Sequence, residues 1–308
     1  MRLRIATRSS HLARAQTEQV AADLAWGHPR LQIEIVEIRT VGDRVIDLPL
    51  PEIGGKGVFT AELEAALRAG DADLAVHSLK DLPTELPEDL AIAAVTARED
   101  PHDAWISRDG VTLDEIPDGA LVGTSSLRRR AQLLRARPGL DVRDLRGNVP
   151  TRLRRLDAGT YDAIVLAAAG LRRLGLHDRI VEKLEPPAFL PAPGQGAVAI
   201  ETRAGDAATR RVVATIDHAP TRLATGLERD FLARLGGGCH APIGALATFE
   251  GSGVRLEGLV ASTDGRRSVR TSAERALDDA AGLGTSLADA VLRAGGRAIL
   301  EAQPEIGS

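Results

Sequence analysis

The feature that most restricts what this chain can fold into is an alternation: short apolar runs and stretches of helical spacing take turns through its first two thirds. Strands interleaved with helices in this way build parallel sheets covered by helices. Residues 2–6 read as a short strand and 11–25 as a helix. Leu31, Ile33 and Ile35 alternate with polar residues, as a half-buried strand does. A helix is predicted over 60–69, with Thr60 as its N-cap, Glu62 and Glu64 near its positive end and Gly70 closing it. Residues 73–77 and 90–95 read as further strands and complete a first α/β unit.

A second unit of the same type follows the polar stretch Arg98-Glu99-Asp100-Pro101-His102-Asp103. Its predicted strands are 104–107, 121–124, 142–145 and 163–167, and Thr112-x-x-Glu115 has the pattern of a capping box. The Pro-rich segment 186–193 leads to another apolar strand, 197–201. Coming after a complete second unit, that strand is expected to return to the first sheet and create a two-crossing hinge. A third region starts near Ala219, where Pro220 suits the first turn of a helix running to about Leu235. Two antiparallel strands are expected at 243–249 and 254–261, then a turn at Thr263-Asp264-Gly265. An amphipathic helix is predicted over 286–302, through Leu287, Val291, Leu292 and Ile299.

The chain has 308 residues, room for two or three domains, and 44% of them are hydrophobic, as in an ordinary soluble globular protein. No apolar run approaches the roughly 18 residues a membrane span needs. The basic N-terminal residues have no apolar signal core behind them, so no export signal is expected. A single cysteine, Cys239, excludes an intrachain disulfide and fits a reducing cytosol. The seven histidines show no metal-ligand spacing with it, so no metal is expected. A net charge of -4 gives no reason to expect nucleic acid or a membrane surface. The distribution of charge says more. Between Leu121 and Arg155 stand ten arginines against two acids, Asp141 and Asp144. They are either solvated helix faces or a cleft that gathers a polyanionic ligand.

Four segments place polar residues just after apolar strands, where open α/β sheets bind ligands. Ala6-Thr7-Arg8-Ser9-Ser10 suits a carboxylate or phosphate at a helix start, although an ordinary N-cap explains its serines equally well. In Val76-His77-Ser78-Leu79-Lys80-Asp81-Leu82-Pro83, Lys80 and Asp81 are either a surface ion pair or a setting for a catalytic carboxylate. Val122-Gly123-Thr124-Ser125-Ser126-Leu127-Arg128-Arg129-Arg130 puts arginines in a first helical turn, against the helix dipole, which makes sense if an anion sits among them. Leu145-Arg146-Gly147-Asn148-Val149-Pro150-Thr151-Arg152 repeats that logic. Ile53-Gly54-Gly55-Lys56-Gly57-Val58-Phe59 lacks the hydroxyl residue after lysine that a nucleotide P-loop needs, and is read as a mobile loop. Cys239 would ordinarily be a small buried hydrophobe. Its place after three glycines and before His240 points instead toward a reactive or modified thiol.

These segments, with Arg98-Glu99-Asp100-Pro101, Leu190-Pro191-Ala192-Pro193-Gly194-Gln195-Gly196-Ala197 and Gly237-Gly238-Cys239, resemble the porphobilinogen deaminase (hydroxymethylbilane synthase) family in order and spacing over nearly the whole chain. The resemblance implies an α/β fold of two hinged, doubly wound domains like type II periplasmic binding proteins, plus a smaller C-terminal α+β domain. The boundaries would be 1–98 with 197–217, then 99–196, then 218–308. It implies a transferase that joins four porphobilinogen molecules head-to-tail into hydroxymethylbilane, releasing ammonia. A dipyrromethane cofactor would be attached by a thioether to Cys239. Asp81 would be catalytic. Cofactor contacts would come from Ser78, Lys80, Thr124, Ser126, Arg128, Arg129 and Arg146, and substrate contacts from Arg8, Ser10, Arg152, Arg173 and Gln195. Lys56 and Phe59 would belong to the active-site loop, while Arg130, Arg135, Arg137, Arg154 and Arg155 would be surface residues. The family further implies a cytoplasmic monomer whose product passes to uroporphyrinogen-III synthase. His240 and His11 stand where a bacterial relative is expected to have glutamine and proline. A solute-binding or effector-binding protein of the same two-lobed fold, or a generic phosphate-handling enzyme, are the competing readings. The missing export signal, Cys239 and the lack of a phosphate loop weigh against them.

Overall fold

A computed structural model describes residues 1–40, 60–236 and 241–302. Lys56, Phe59 and Cys239, with their loop and glycine run, lie outside the described residues. In chain order the elements are β1 (Arg2–Arg8), α1 (His11–Gly27), β2 (Gln32–Ile38), α2 (Ala61–Ala69), β3 (Leu74–Ser78) and β4 (Leu90–Val95). Next come β5 (Asp103–Ser107), β6 (Leu121–Gly123), α3 (Leu127–Ala136), β7 (Asp141–Arg143), α4 (Val149–Asp157), β8 (Ala163–Ala167), α5 (Ala168–Arg173) and β9 (Glu182–Leu184). They are followed by β10 (Val198–Arg203), α6 (Ala207–Val213), α7 (Ala219–Arg234), β11 (Ile243–Glu250), β12 (Gly253–Ala261), β13 (Ser268–Ala276), α8 (Leu283–Val291) and α9 (Arg297–Glu301). The chain divides into two compact units, Met1–Glu99 with Gly196–Leu223, and Asp100–Gln195 with the chain from Ala224 onward.

In the first unit the strand order is β2-β1-β3-β10-β4. β1 runs parallel to β2 and β3, and β10 runs antiparallel to β3 and β4. The late strand therefore does return to the first sheet. Side chains of a strand alternate between its two faces, and this decides where the helices go. Leu3 and Ile5 meet Val20 and Leu24 of α1 on one face, while Ala6 and Ala75 meet Leu63 and Leu67 of α2 in a separate cluster. The alternation expected at β2 is only half kept, because β2 is an edge strand and Ile35 stands 40% exposed. Thr60 occupies the N-cap position of α2 as expected, yet its side chain makes no capping bond. Gly70 ends that helix in the left-handed conformation, as anticipated.

The second unit repeats the plan with the order β7-β6-β8-β5-β9. β6 is parallel to β7 and β8, and β5 is antiparallel to β8 and β9. Trp105 packs in one core with Val122 and Val165, and its neighbours Ala104 and Ile106 pack in another with Ile164 and Leu166. The Thr112 turn keeps one half of its capping box, the Glu115 carboxylate accepting from the Thr112 N–H at 2.9 Å.

A third, antiparallel sheet β11-β12-β13 carries helices. A Cβ built on Gly258 would lie 2.4 Å from Phe231, so only glycine lets α7 seat that ring on β12. Two expectations are corrected here. The helix predicted over 286–302 is broken, because Gly295 sits at φ +107° between α8 and α9. β13 had no apolar signal in the sequence, being a half-exposed edge strand rich in charged and small residues.

Candidate active site

The first group of polar residues lies in a pocket at the ends of β1 and β3. Arg8 closes β1, and Ser10 caps α1 through its Oγ, which accepts from the Ala13 N–H at 3.3 Å. Ser78 closes β3 and accepts a 2.9 Å bond from Gln16 of α1, so helix and strand are tied at the pocket wall. A 3-10 turn at Leu79–Asp81 then brings Asp81 round to the same pocket, whose lining also includes Thr60 and His77. No ion pair joins Asp81 to Lys80, and the Asp81 carboxylate has no hydrogen-bond partner among the described residues. The structure thus places the Asp81 carboxylate at the pocket and not in an ion pair with Lys80.

The second group lies at the starts of α3 and α4. The Thr124 N–H donates to the Arg143 carbonyl at 2.8 Å, and the Thr124 hydroxyl accepts from the Ser126 N–H at 3.2 Å. Ser126 in turn caps α3, accepting from the Arg129 N–H at 3.4 Å. The anion that sits among the first-turn arginines is Asp103, a residue the sequence reading passed over as part of a polar stretch. Arg128 donates to it at 2.6 and 3.2 Å, Arg129 at 2.8 and 3.0 Å, and Gln195 at 2.9 Å. Arg128 also holds the Leu190 carbonyl, and Arg129 the Val165 carbonyl. Burial alone would raise the Asp103 pKa. The charges of Arg128 and Arg129, with hydrogen bonds from Arg128 and Gln195, outweigh it and keep the carboxyl far below its usual range.

The arginines of this stretch divide by burial. Arg128 and Arg129 are 5% and 6% exposed, and Gln195 is fully buried with its amide donating to Asp103 and the Pro101 carbonyl. These three surround Asp103 in the interior. Arg137, expected at the surface, clamps the carbonyls of Leu113, Asp114 and Ile116 at 2.6–2.8 Å. Arg130 is half-buried and donates to the Val142 carbonyl. Arg135, Arg154 and Arg155 are exposed as expected. Arg152 holds the Gly147 carbonyl at 2.7 Å, and Arg173 ends the short helix α5. Asn148 caps α4 by accepting from the Thr151 N–H at 3.0 Å. Beside it, the Nη1 of Arg146 is buried with no hydrogen-bond partner among the described residues. A buried guanidinium nitrogen is costly to leave unpaired, and an anionic group is what would satisfy it. A ligand that bears carboxylates therefore fits this segment.

The sequence fits the family model "Porphobilinogen deaminase, dipyromethane cofactor binding domain" over residues 3–211 and "Porphobilinogen deaminase, C-terminal domain" over 223–293. The chain belongs to the porphobilinogen deaminase family. Curated porphobilinogen deaminases with high similarity include that of Roseiflexus castenholzii, 51% identical over 97% of this chain and 98% of the relative. Another is that of Trichlorobacter lovleyi, 49% identical over 97% and 96%. That of Desulforudis audaxviator is 52% identical over 96% of each chain. Both polar groups fall within the stretch matched by the porphobilinogen deaminase cofactor-binding domain, and Cys239 falls within the stretch matched by the C-terminal domain.

Proposed function

We propose that this chain joins four porphobilinogen molecules head-to-tail into hydroxymethylbilane, with release of ammonia. Beyond family membership, the observation that carries the reading is Asp81, a carboxylate without a protein partner among the described residues, in a pocket that also holds Arg8, Ser10 and Ser78. Loss of ammonia from porphobilinogen leaves a methylene carbon whose positive charge is shared with the pyrrole nitrogen. Asp81 stabilises that charge and takes up the proton released as the next ring attacks. Arg8 and Ser10, with Arg152 and Arg173, bind the acetate and propionate groups of incoming rings, the planar guanidiniums pairing with carboxylates. The resident dipyrromethane, when bound, supplies the free pyrrole carbon on which the chain grows. Cys239 holds it through a thioether, and Ser78, Lys80, Thr124, Ser126 and Arg146 engage its carboxylates. Arg128, Arg129 and Gln195 serve the same site through Asp103, and Lys56 and Phe59 are the residues that the family motif assigns to the active-site loop. In this reading the three sheets correspond to three domains of a cytoplasmic monomer that hands its product to uroporphyrinogen-III synthase.

The test is single-turnover assay of purified protein with porphobilinogen, wild type against Asp81→Ala. Wild type is expected to release ammonia and form a linear tetrapyrrole, with Asp81→Ala slower by about 10²-fold or more, the scale of a lost general acid–base group. Near-normal rates in Asp81→Ala contradict the assignment.

A further inference from the structure

Between β9 and β10 the chain forms no regular element, yet residues 190–195 are buried, apart from a half-buried Ala192. The backbone polar groups of a buried irregular segment need partners from elsewhere, and here the partners lie on two sides. On one side is the Asp103 cluster. The Leu190 carbonyl accepts from Arg128 at 2.6 Å and from Gln132 at 3.0 Å, and the Leu190 N–H donates to Gln132 at 2.7 Å. Gln195, at the far end of the segment, donates to Asp103 at 2.9 Å.

On the other side is the third sheet. The Leu190 side chain packs with Leu246 and Leu259, and the Pro191 carbonyl accepts from the Ala245 N–H at 3.0 Å. Glu228 of α7, fully buried, completes the attachment. One of its side-chain oxygens accepts from the Gly194 N–H at 2.7 Å, and the other accepts from the Ala247 N–H at 2.9 Å. β11 is an edge strand, and Ala245 and Ala247, two positions apart, turn their N–H groups to the same side. That free edge is therefore held by Pro191 and Glu228. An apolar side chain of similar size would fill the place of Glu228 at lower cost, but it would leave two buried N–H groups without acceptors.

We propose that Glu228 is a positioning residue for the dipyrromethane. It clamps residues 190–195 to β11, and that segment in turn holds Asp103, Arg128 and the start of α3 in the arrangement that takes up the cofactor. This rests on the porphobilinogen reading and adds a residue that none of its motifs contains. Glu228 acts through Gly194, the neighbour of Gln195, in a turn that the Gln195 N–H closes on the Ala192 carbonyl at 3.0 Å.

The test follows the intact mass of the full chain, made without porphobilinogen and then incubated with it. Glu228→Gln keeps the shape and turns one of the two acceptors into a donor facing a backbone N–H. It should gain the cofactor adduct roughly tenfold more slowly than wild type, the effect of one lost buried hydrogen bond. Leu287→Ala, which opens a cavity under α8 away from the segment, controls for lost stability. It should gain the adduct at the wild-type rate even where its melting temperature falls as far. Equal rates in Glu228→Gln and Leu287→Ala overturn the proposal and leave the functional reading standing. If Glu228→Gln does not fold, Gly244→Ala decides, because its methyl would lie 2.9 Å from the Leu190 Cβ and push on the same segment. Adduct gain at the wild-type rate in that variant overturns the proposal. A wild type that never gains the adduct overturns the functional reading itself, and the role of Glu228 with it.

Discussion

At the scale of single residues, Asp103 is the most consequential position that sequence reading missed. Its partners stand 25, 26 and 92 positions away, so no local pattern announces it. The excess of arginine around it was legible, but the acid that organises two of those arginines was not. Removing the charge while keeping the shape, as in Asp103→Asn, leaves two buried guanidiniums without their counter-charge. We expect a loss of about 3–5 kcal/mol in urea unfolding, and a change below about 1 kcal/mol would show that the pair is not buried as described. Acid should act through the same site. Folding depresses the carboxyl of Asp103 below the usual range and that of Asp100 to about 2, where burial is outweighed by hydrogen bonds from Lys183 and His102. Groups of this kind contribute fully above their unfolded value of 3.8 and lose that contribution as pH falls toward the folded value. The melting temperature should therefore hold from neutrality to about pH 4 and drop between pH 4 and 2. In Asp100→Asn the drop should be shallower, and an unchanged profile would contradict this account.

Among elements, most strands were legible, the edges β4 and β11 included, and β9 and β13 were not. β3 and β8, inside their sheets, are buried along nearly their whole length because both their faces are covered, whereas β13 is an edge strand whose Ser, Thr, Arg and Glu face water. The broken terminal helix failed for a different reason. Its apolar spacing runs through Leu292 and Ile299, but Gly295 takes a positive φ that spacing cannot reveal. Packing of α7 on β12 gives a test at this scale. Gly258→Ala puts a methyl 2.4 Å from the Phe231 ring and should cost about 1–3 kcal/mol. Combined with Phe231→Leu, which withdraws the ring, the two changes should cost less than the sum of the separate effects. Strict additivity would mean that the ring and the glycine do not meet.

At the level of the whole molecule, the regions of the first two sheets, built on one plan, hold the described residues that family motifs picked out. The family was legible because its motifs sit where strands end, and strand ends are recognisable in sequence. Which arginines point inward was not, since that depends on partners from other strands and helices. The central claim is that a cofactor built from porphobilinogen is attached to Cys239 of this family member. Intact mass of the denatured protein, measured for wild type and for Cys239→Ser, tests it most directly. The account predicts a covalent excess equal to one dipyrromethane unit on wild type and none on the variant. A wild type that carries no adduct and gains none on incubation with porphobilinogen would contradict it.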